Sequence, residues 1–299
     1  MNASRYVELE SPSLQARVDT HGAQLVSLAA RVDGETRDLL WPGNPATWPD
    51  QAPVLFPVIG PLTDGLLRHG GETYPMPPHG FARLRDFDLV EKSGSRCVLE
   101  LRDDDETRGQ YPFAFVLSAA FELAGDRFTC TLSVENPGVE PLPADVGFHP
   151  GFNWPLEAGK TKEEYSAIFE KDEPAPIRRG VGDPVLLLPD GRPTPVKGKV
   201  LRLSDELFVD LPIVFDRLNS RSLVFGPDRG IGLRFDFPDS PNLGLWMLPG
   251  EPFLAVEPWQ GYPSELDFHG PFVEKPGVAV IGPSERRSWR LSVRPISRS

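Results

Sequence analysis

Three short stretches of this 299-residue chain carry groups able to move a proton, each beside an aromatic ring and beside Gly or Pro that restricts the backbone. They are Pro78-His79-Gly80-Phe81-Ala82-Arg83, Gly147-Phe148-His149-Pro150-Gly151-Phe152-Asn153-Trp154 and Val256-Glu257-Pro258-Trp259-Gln260-Gly261. Glu257 closes the run Phe253-Leu254-Ala255-Val256, in which every neighbour favours burial. A carboxyl group in apolar surroundings has a raised pKa and becomes a proton acceptor usable near neutrality. The alternative is a Glu that accepts backbone N–H bonds or pairs with an Arg. His79 and His149 lie between apolar and backbone-restricting residues, as in a pocket wall, and a structural, hydrogen-bonded role stands beside a catalytic one for each. His69, beside Arg68 and Gly70-Gly71, reads as a solvent-facing turn residue, and His21 and His269 precede Gly in loop-like sequence.

Trp154, Trp259, Phe81 and Phe152 share these stretches, and Trp246 lies on a neighbouring apolar run. Flat apolar rings suit the C–H faces of a pyranose, while His, Arg, Asn and carboxylates bind its hydroxyls. Ordinary core packing is the competing reading of the rings. Two His and a carboxylate can also hold iron or zinc. The chain has no His-x-His, His-Glu-x-x-His or Cys-x-x-Cys, no Gly-x-Ser-x-Gly elbow and no phosphate-binding Gly loop. No metal and no cofactor are expected.

The elements that must position these groups read as strands. Apolar residues alternate at Leu14, Ala16 and Val18, in Ala23 to Leu28, and in Cys97 to Leu101. They alternate again through Phe113, Phe115, Leu117, Ala119, Phe121 and Leu123, and back through Phe128, Cys130, Leu132 and Val134 after the turn Ala124-Gly125-Asp126, which is a β-hairpin. Ile231, Leu233, Phe235 and Phe237 share one face, and Leu243 to Leu248 and Phe253 to Glu257 suit central strands. Val278 to Ile281, then Trp289, Leu291 and Val293, complete the set. Trp41 to Gly65 reads as ordered loop. Lys160 to Lys171 reads as a short helix or an edge strand, and the charged, Pro-rich remainder to Val200 as a long surface loop. With 34 Pro and 28 Gly spread along the chain, many short segments are punctuated, and 18 Phe and 6 Trp argue against disorder. The expectation is one all-β domain over residues 1–299, large and antiparallel, with two packed sheets.

A formal net charge of −12 argues against nucleic acid and anionic membrane as partners, since both need a basic surface. Cys97 and Cys130 fall within apolar runs and read as buried free thiols. Met1 to Tyr6 shows no apolar leader region, and no apolar run reaches membrane-spanning length, so a soluble cytoplasmic protein is expected. The oligomeric state stays open.

Taken together, the chain resembles bacterial members of the aldose 1-epimerase (galactose mutarotase-like) family. The resemblance runs through Gly22-Ala23-Gln24-Leu25, Pro53-Val54-Leu55-Phe56-Pro57, His79-Gly80-Phe81-Ala82-Arg83 and Tyr111-Pro112-Phe113, then His149-Pro150-Gly151-Phe152-Asn153, Glu257-Pro258-Trp259 and Glu274-Lys275-Pro276-Gly277. It implies a large antiparallel β-supersandwich and cofactor-free interconversion of the α and β anomers of a sugar. By motif position Glu257 looks like the base, His149 like the acid, and His79 like the histidine that binds and polarises the substrate. Trp259, Trp246, Phe152 and Asn153 are the expected sugar contacts. Two departures stand out. After Pro57-Val58-Ile59-Gly60 the family usually places an Arg that contacts the sugar, where this chain has Pro61, and Arg83 is the neighbouring charge that could replace it. The family's substrate-binding aspartate has Asp210 as its nearest counterpart. Two alternatives keep the fold: a phosphorylated or modified sugar, read by Arg83, Arg85 and Arg217, or a sugar-binding protein without turnover.

Overall fold

Alternation becomes strand wherever the chain can bury one face and pair both edges. The computed structural model describes residues 5–32, 34–210 and 212–298. Met1 to Ser4, part of the stretch read for a leader, lie outside them. The hairpin read from the alternating Phe and Leu residues forms between Val116–Ala124 and Arg127–Glu135, closed by Gly125-Asp126 with Ala124 opposite Arg127. It sits inside a nine-stranded antiparallel sheet in the order Val200–Arg202, Tyr165–Phe169, Ser222–Pro227, Gly230–Asp236, Arg286–Arg298, Arg127–Glu135, Val116–Ala124, Arg96–Arg102, Asp88–Lys92.

A second sheet of six strands runs Ile213–Phe215, Asn242–Trp246, Phe253–Gln260, Val146–Phe148 and Val54–Leu55, with Gly151–Asn153 pairing on Phe253–Gln260 as well. A four-stranded sheet of Tyr6–Glu10, Leu14–Asp19, Gln24–Val32 and Glu35–Asp38 completes the main layers. One hydrophobic cluster draws side chains from all three, including Leu25, Phe121, Trp289, Leu254 and Val256. Phe152 of the six-stranded sheet meets Phe235 of the nine-stranded sheet edge to face, at 4.9 Å between ring centres. The fold is all-β, a large antiparallel β-supersandwich; Asp105–Arg108 is the one α-helical turn among the described residues.

Cys97 and Cys130 are free and buried. Each is the cross-strand partner of Phe121, one from either side. Two strand spacings of about 4.8 Å separate their backbones, beyond the roughly 7 Å within which a disulfide closes. Burial pushes the Cys97 thiol up to about 11 and Cys130 further.

The segment from Glu157 to Ser204 departs from its reading. Lys162–Glu164 is a 3₁₀ turn, and Tyr165–Phe169 is a strand bonded on both sides, not an edge. The remainder to Val200 is in large part exposed coil, as read, but not throughout. It holds a small hairpin, Gly180–Val181 with Leu186–Leu187, and buries Glu173 and Arg178. The Glu173 carboxylate accepts the Asn219 and Ser220 N–H groups at 2.9 and 2.7 Å. Arg178 pairs with Asp216 and Glu265 at 3.2 and 2.7 Å.

Candidate active site

Strand register brings two of the three proton-active groups face to face. Gly147 pairs with Trp259 and Gly151 with Ala255, both in one antiparallel register. Pro150 has no N–H to donate, so the formal ladder breaks there, yet its carbonyl still accepts the Val256 N–H at 3.1 Å. His149 therefore lies opposite Glu257, and its Nε2 stands 3.2 Å from Glu257 Oε2. Small residues on the same face make the room. A Cβ on Gly147 would lie 2.5 Å from the Trp259 ring, and one on Gly151 2.6 Å from the Trp48 ring. Gly244, the partner of Glu257, passes under Trp259 so closely that a Cβ would lie 2.3 Å from it.

His79 arrives from a turn. Its backbone is left-handed, at φ 66°, and Gly80 follows at φ 73°. A Cβ on Gly80 would meet the Phe56 carbonyl oxygen at 2.1 Å, so only Gly fits. The His79 N–H donates to Gly60 O at 2.9 Å, and the Gly60 N–H donates back to His79 Nδ1 at 3.2 Å. The His79 and His149 rings then meet edge to face, 5.4 Å apart.

Around these groups opens a cleft of about 410 Å³, lined on its floor by His79, His149, Glu257 and Trp259. Trp48, Trp246 and Arg83 form walls, and Pro61, Asp183 and Val185 lie at its edge. The volume falls within the roughly 300 to 1,000 Å³ of small-molecule sites. Trp48 sits 5.2 Å from the His149 ring and 5.2 Å from the Trp246 ring. The Trp259 indole N–H and the Arg83 Nε are buried without a hydrogen-bond partner. Arg83 reaches Asp50 at 3.5 Å.

Burial raises the Glu257 pKa well above the usual carboxylate range. It lowers His149 well below a normal imidazole, with the nearby His79 and Arg83 adding to the effect. His79 is pushed down to about 4, by burial first and then by the Arg83 charge. Desolvation thus favours the neutral form of every group: the proton shared by the buried pair rests on Glu257, with His149 Nε2 accepting it. A neutral His79 that accepts at Nδ1 carries its proton on Nε2.

Not every expected contact joins the cleft. His79, His149, Glu257, Trp259, Trp246 and Arg83 line it, and so does Pro61. Phe152 does not, because the parity that turns His149 toward the cleft turns Phe152 into the core against Phe235. Asn153 has the right parity but lies beyond the cleft, where its amide donates to Asp38 O at 2.9 Å. Asp210 is exposed and reaches Arg192 at 3.7 Å, so it is not the cleft's aspartate. His69 is half-buried against Phe113, at 4.5 Å, instead of solvent-facing. His21 and His269 pair on the surface with Asp86 and Asp64. Sequence reading missed Trp48, Asp50 and Asp183. The signal for Trp48 was a large ring in a Pro-rich loop already read as ordered; Asp183 sits in an exposed turn of the segment read as surface loop, with no local signal that the turn reaches the cleft.

A β-supersandwich with a buried His149–Glu257 contact on the floor of an aromatic cleft sets the class of fold and site in which the chain is to be compared. The chain belongs to the aldose 1-epimerase family, which it matches over residues 5–274. It is 32% identical over 298 residues to Protein LacX of Lactococcus lactis, covering 96% of this chain and 99% of that one. Among solved structures it superposes on a galactose mutarotase-like protein from Lactobacillus casei with a TM-score of 0.89 and 28% identity, over 97% of this chain and all (100%) of that one. A galactose mutarotase related enzyme from Lactobacillus acidophilus gives 0.86 and 26%, over 98% of each chain.

Proposed function

We propose that the protein interconverts the α and β anomers of an aldose, with Glu257 and His149 as the proton-transfer pair and no cofactor. The observation that carries this reading is the 3.2 Å contact between two buried groups of opposite acid–base character on the floor of a sugar-sized cleft. Passing their one shared proton from Glu257 to His149 yields a carboxylate and an imidazolium. Glu257 then takes the proton of the C1 hydroxyl while His149 gives its proton to the ring oxygen. The C1–O5 bond breaks as C1=O1 forms. After rotation about C1–C2, closure on the other face of C1 returns each proton to its donor, so nothing is consumed. The Nε2–H of His79 supports the ring-oxygen side, and Trp48, Trp246 and Trp259 offer flat faces to the sugar's C–H groups.

Arg83 is the single Lys or Arg among the lining residues, and Asp50 and Asp183 share its cleft. Arg85 is engaged by Asp104 and Glu106, and the exposed Arg217 is not part of the lining. That balance favours an uncharged sugar over a phosphorylated one.

Polarimetry of freshly dissolved α-glucose and α-galactose tests the proposal. Wild type should speed the approach to equilibrium, and Glu257→Gln and His149→Ala should each lose about 100-fold or more in kcat while remaining folded. Full activity in Glu257→Gln would refute the assigned base. Sugar binding without any acceleration by wild type would leave a binding protein in its place.

A further inference from the structure

Behind the cleft lies an ion pair that the proton transfers do not use. Lys275 and Asp145 are buried almost completely, and Lys275 Nζ stands 2.9 Å from Asp145 Oδ2. The same ammonium donates to the Tyr262 carbonyl at 2.5 Å and lies 5.3 Å from the Tyr262 ring centre. Asp145 Oδ2 also accepts the Ile59 N–H at 3.3 Å, and the Asp145 N–H donates to Pro57 O at 2.8 Å. Asp145 Oδ1 has no hydrogen-bond partner and rests against Gly261, where a Cβ would lie 2.0 Å away.

A pair so buried is a poor source of net stability, because removing two charges from water costs about as much as their attraction returns. Its placement is the informative part. Ile59 precedes Gly60, whose N–H holds His79 Nδ1. Asp145 leads into Val146–Phe148 and thence to His149. Tyr262 follows the strand Phe253–Gln260 that carries Glu257. One ammonium–carboxylate contact thus ties together the three chain segments that deliver the three cleft groups.

We infer that Lys275 and Asp145 are positioning residues, which hold His79, His149 and Glu257 in mutual register and fix the His79 tautomer through Ile59 and Gly60. Neither touches the substrate. The inference rests on the ring-opening chemistry proposed above for its effect on rate, but not for its effect on the tautomer.

Two measurements test it. Imidazole ¹⁵N–¹H correlation spectra of the wild-type protein should show His79 protonated on Nε2 alone at pH 7; protonation on Nδ1 would overturn the chain of contacts. Then two charge-free pairs are compared. Lys275→Met with Asp145→Asn keeps an acceptor for the Ile59 N–H but releases Tyr262, and kcat should fall about 10-fold. Lys275→Met with Asp145→Leu releases both, and kcat should fall about 100-fold, the scale of a misplacement near 1 Å, with KM changed by less than about threefold and the His79 tautomer mixed. Both should keep a cooperative thermal transition, as neutral replacements of buried pairs commonly do. A folded Asn–Met variant with kcat within about threefold of wild type, or a folded Leu–Met variant with an unaltered His79 spectrum, overturns the inference, and the first decides alone if the Leu variant does not fold. If wild type accelerates no sugar, the chemistry fails, and the spectra of the variants still decide the positioning role.

Discussion

His79 combines two properties that make its energetics readable: a left-handed backbone at φ 66° and an imidazole pushed down to about 4 from an ordinary 6.5. Between those two values the unfolded chain binds more protons than the folded one. Stability tied to His79 is therefore fully present above pH 6.5 and is lost as the pH falls toward 4. His149 acts in the same direction. Glu257 acts the other way, since its protonated form is favoured in the fold and its contribution is lost as the pH rises. Asn tolerates the left-handed region better than other residues with a side chain, so His79→Asn removes the titration with little backbone strain. In urea unfolding at pH 7 and pH 5, wild type should lose about 1 to 2 kcal/mol more than the variant, after allowing for the partial exposure of His79. Equal losses would show that His79 does not titrate as its burial implies.

The small hairpin Gly180–Val181 with Leu186–Leu187 carries Asp183 and Val185 to the edge of the cleft. Its tip is exposed and contributes little to the core, so Asp183→Ala and Val185→Ala should leave the melting temperature unchanged. KM for the preferred sugar should rise about threefold to tenfold, with kcat within about twofold, as expected for contacts made equally in ground and transition states. A fall in kcat alone would count against a rim role. This hairpin also marks where the sequence ceased to be legible. Strands with strict alternation, such as Val116–Ala124 and Gly230–Asp236, declare which face is buried through neighbours two residues apart. The segment around Arg178 does not, because what makes its charges buriable are Asp216 and Glu265, distant in sequence. Within the cleft the same division holds. His79, His149 and Glu257 were readable because each stands among residues that restrict the backbone or favour burial. The misplacement of Phe152 was a matter of parity that only the Gly147–Trp259 register settles, and Asp210 was assigned by nearness in the motif, with no local signal for its side chain's direction.

Across the whole molecule, 43 acidic residues outnumber 31 basic ones, for a formal charge of −12. Such an excess repels itself in the compact state. Raising NaCl from about 10 to 150 mM shortens the screening length from about 30 to 8 Å, so the thermal midpoint should rise by a few degrees, while surface pairs such as Arg17–Glu8 lose little. A falling midpoint in scanning calorimetry would mean that ion pairs outweigh the net repulsion. The cleft itself is assembled from two kinds of material. Apart from His79, which comes from a turn, its floor stands on paired strands locked in one register, where a slip of one residue would turn His149 and Glu257 away together. Its edge is drawn from segments at Pro61, Val185 and Pro263 that bond to one another, the Ser264 N–H to Pro61 O and the Leu187 N–H to Ser264 O, outside the ladder that carries His149 and Glu257. Under the proposed function, a substitution at the edge, Pro61 included, changes which sugar fits while leaving the contact between His149 and Glu257 in place.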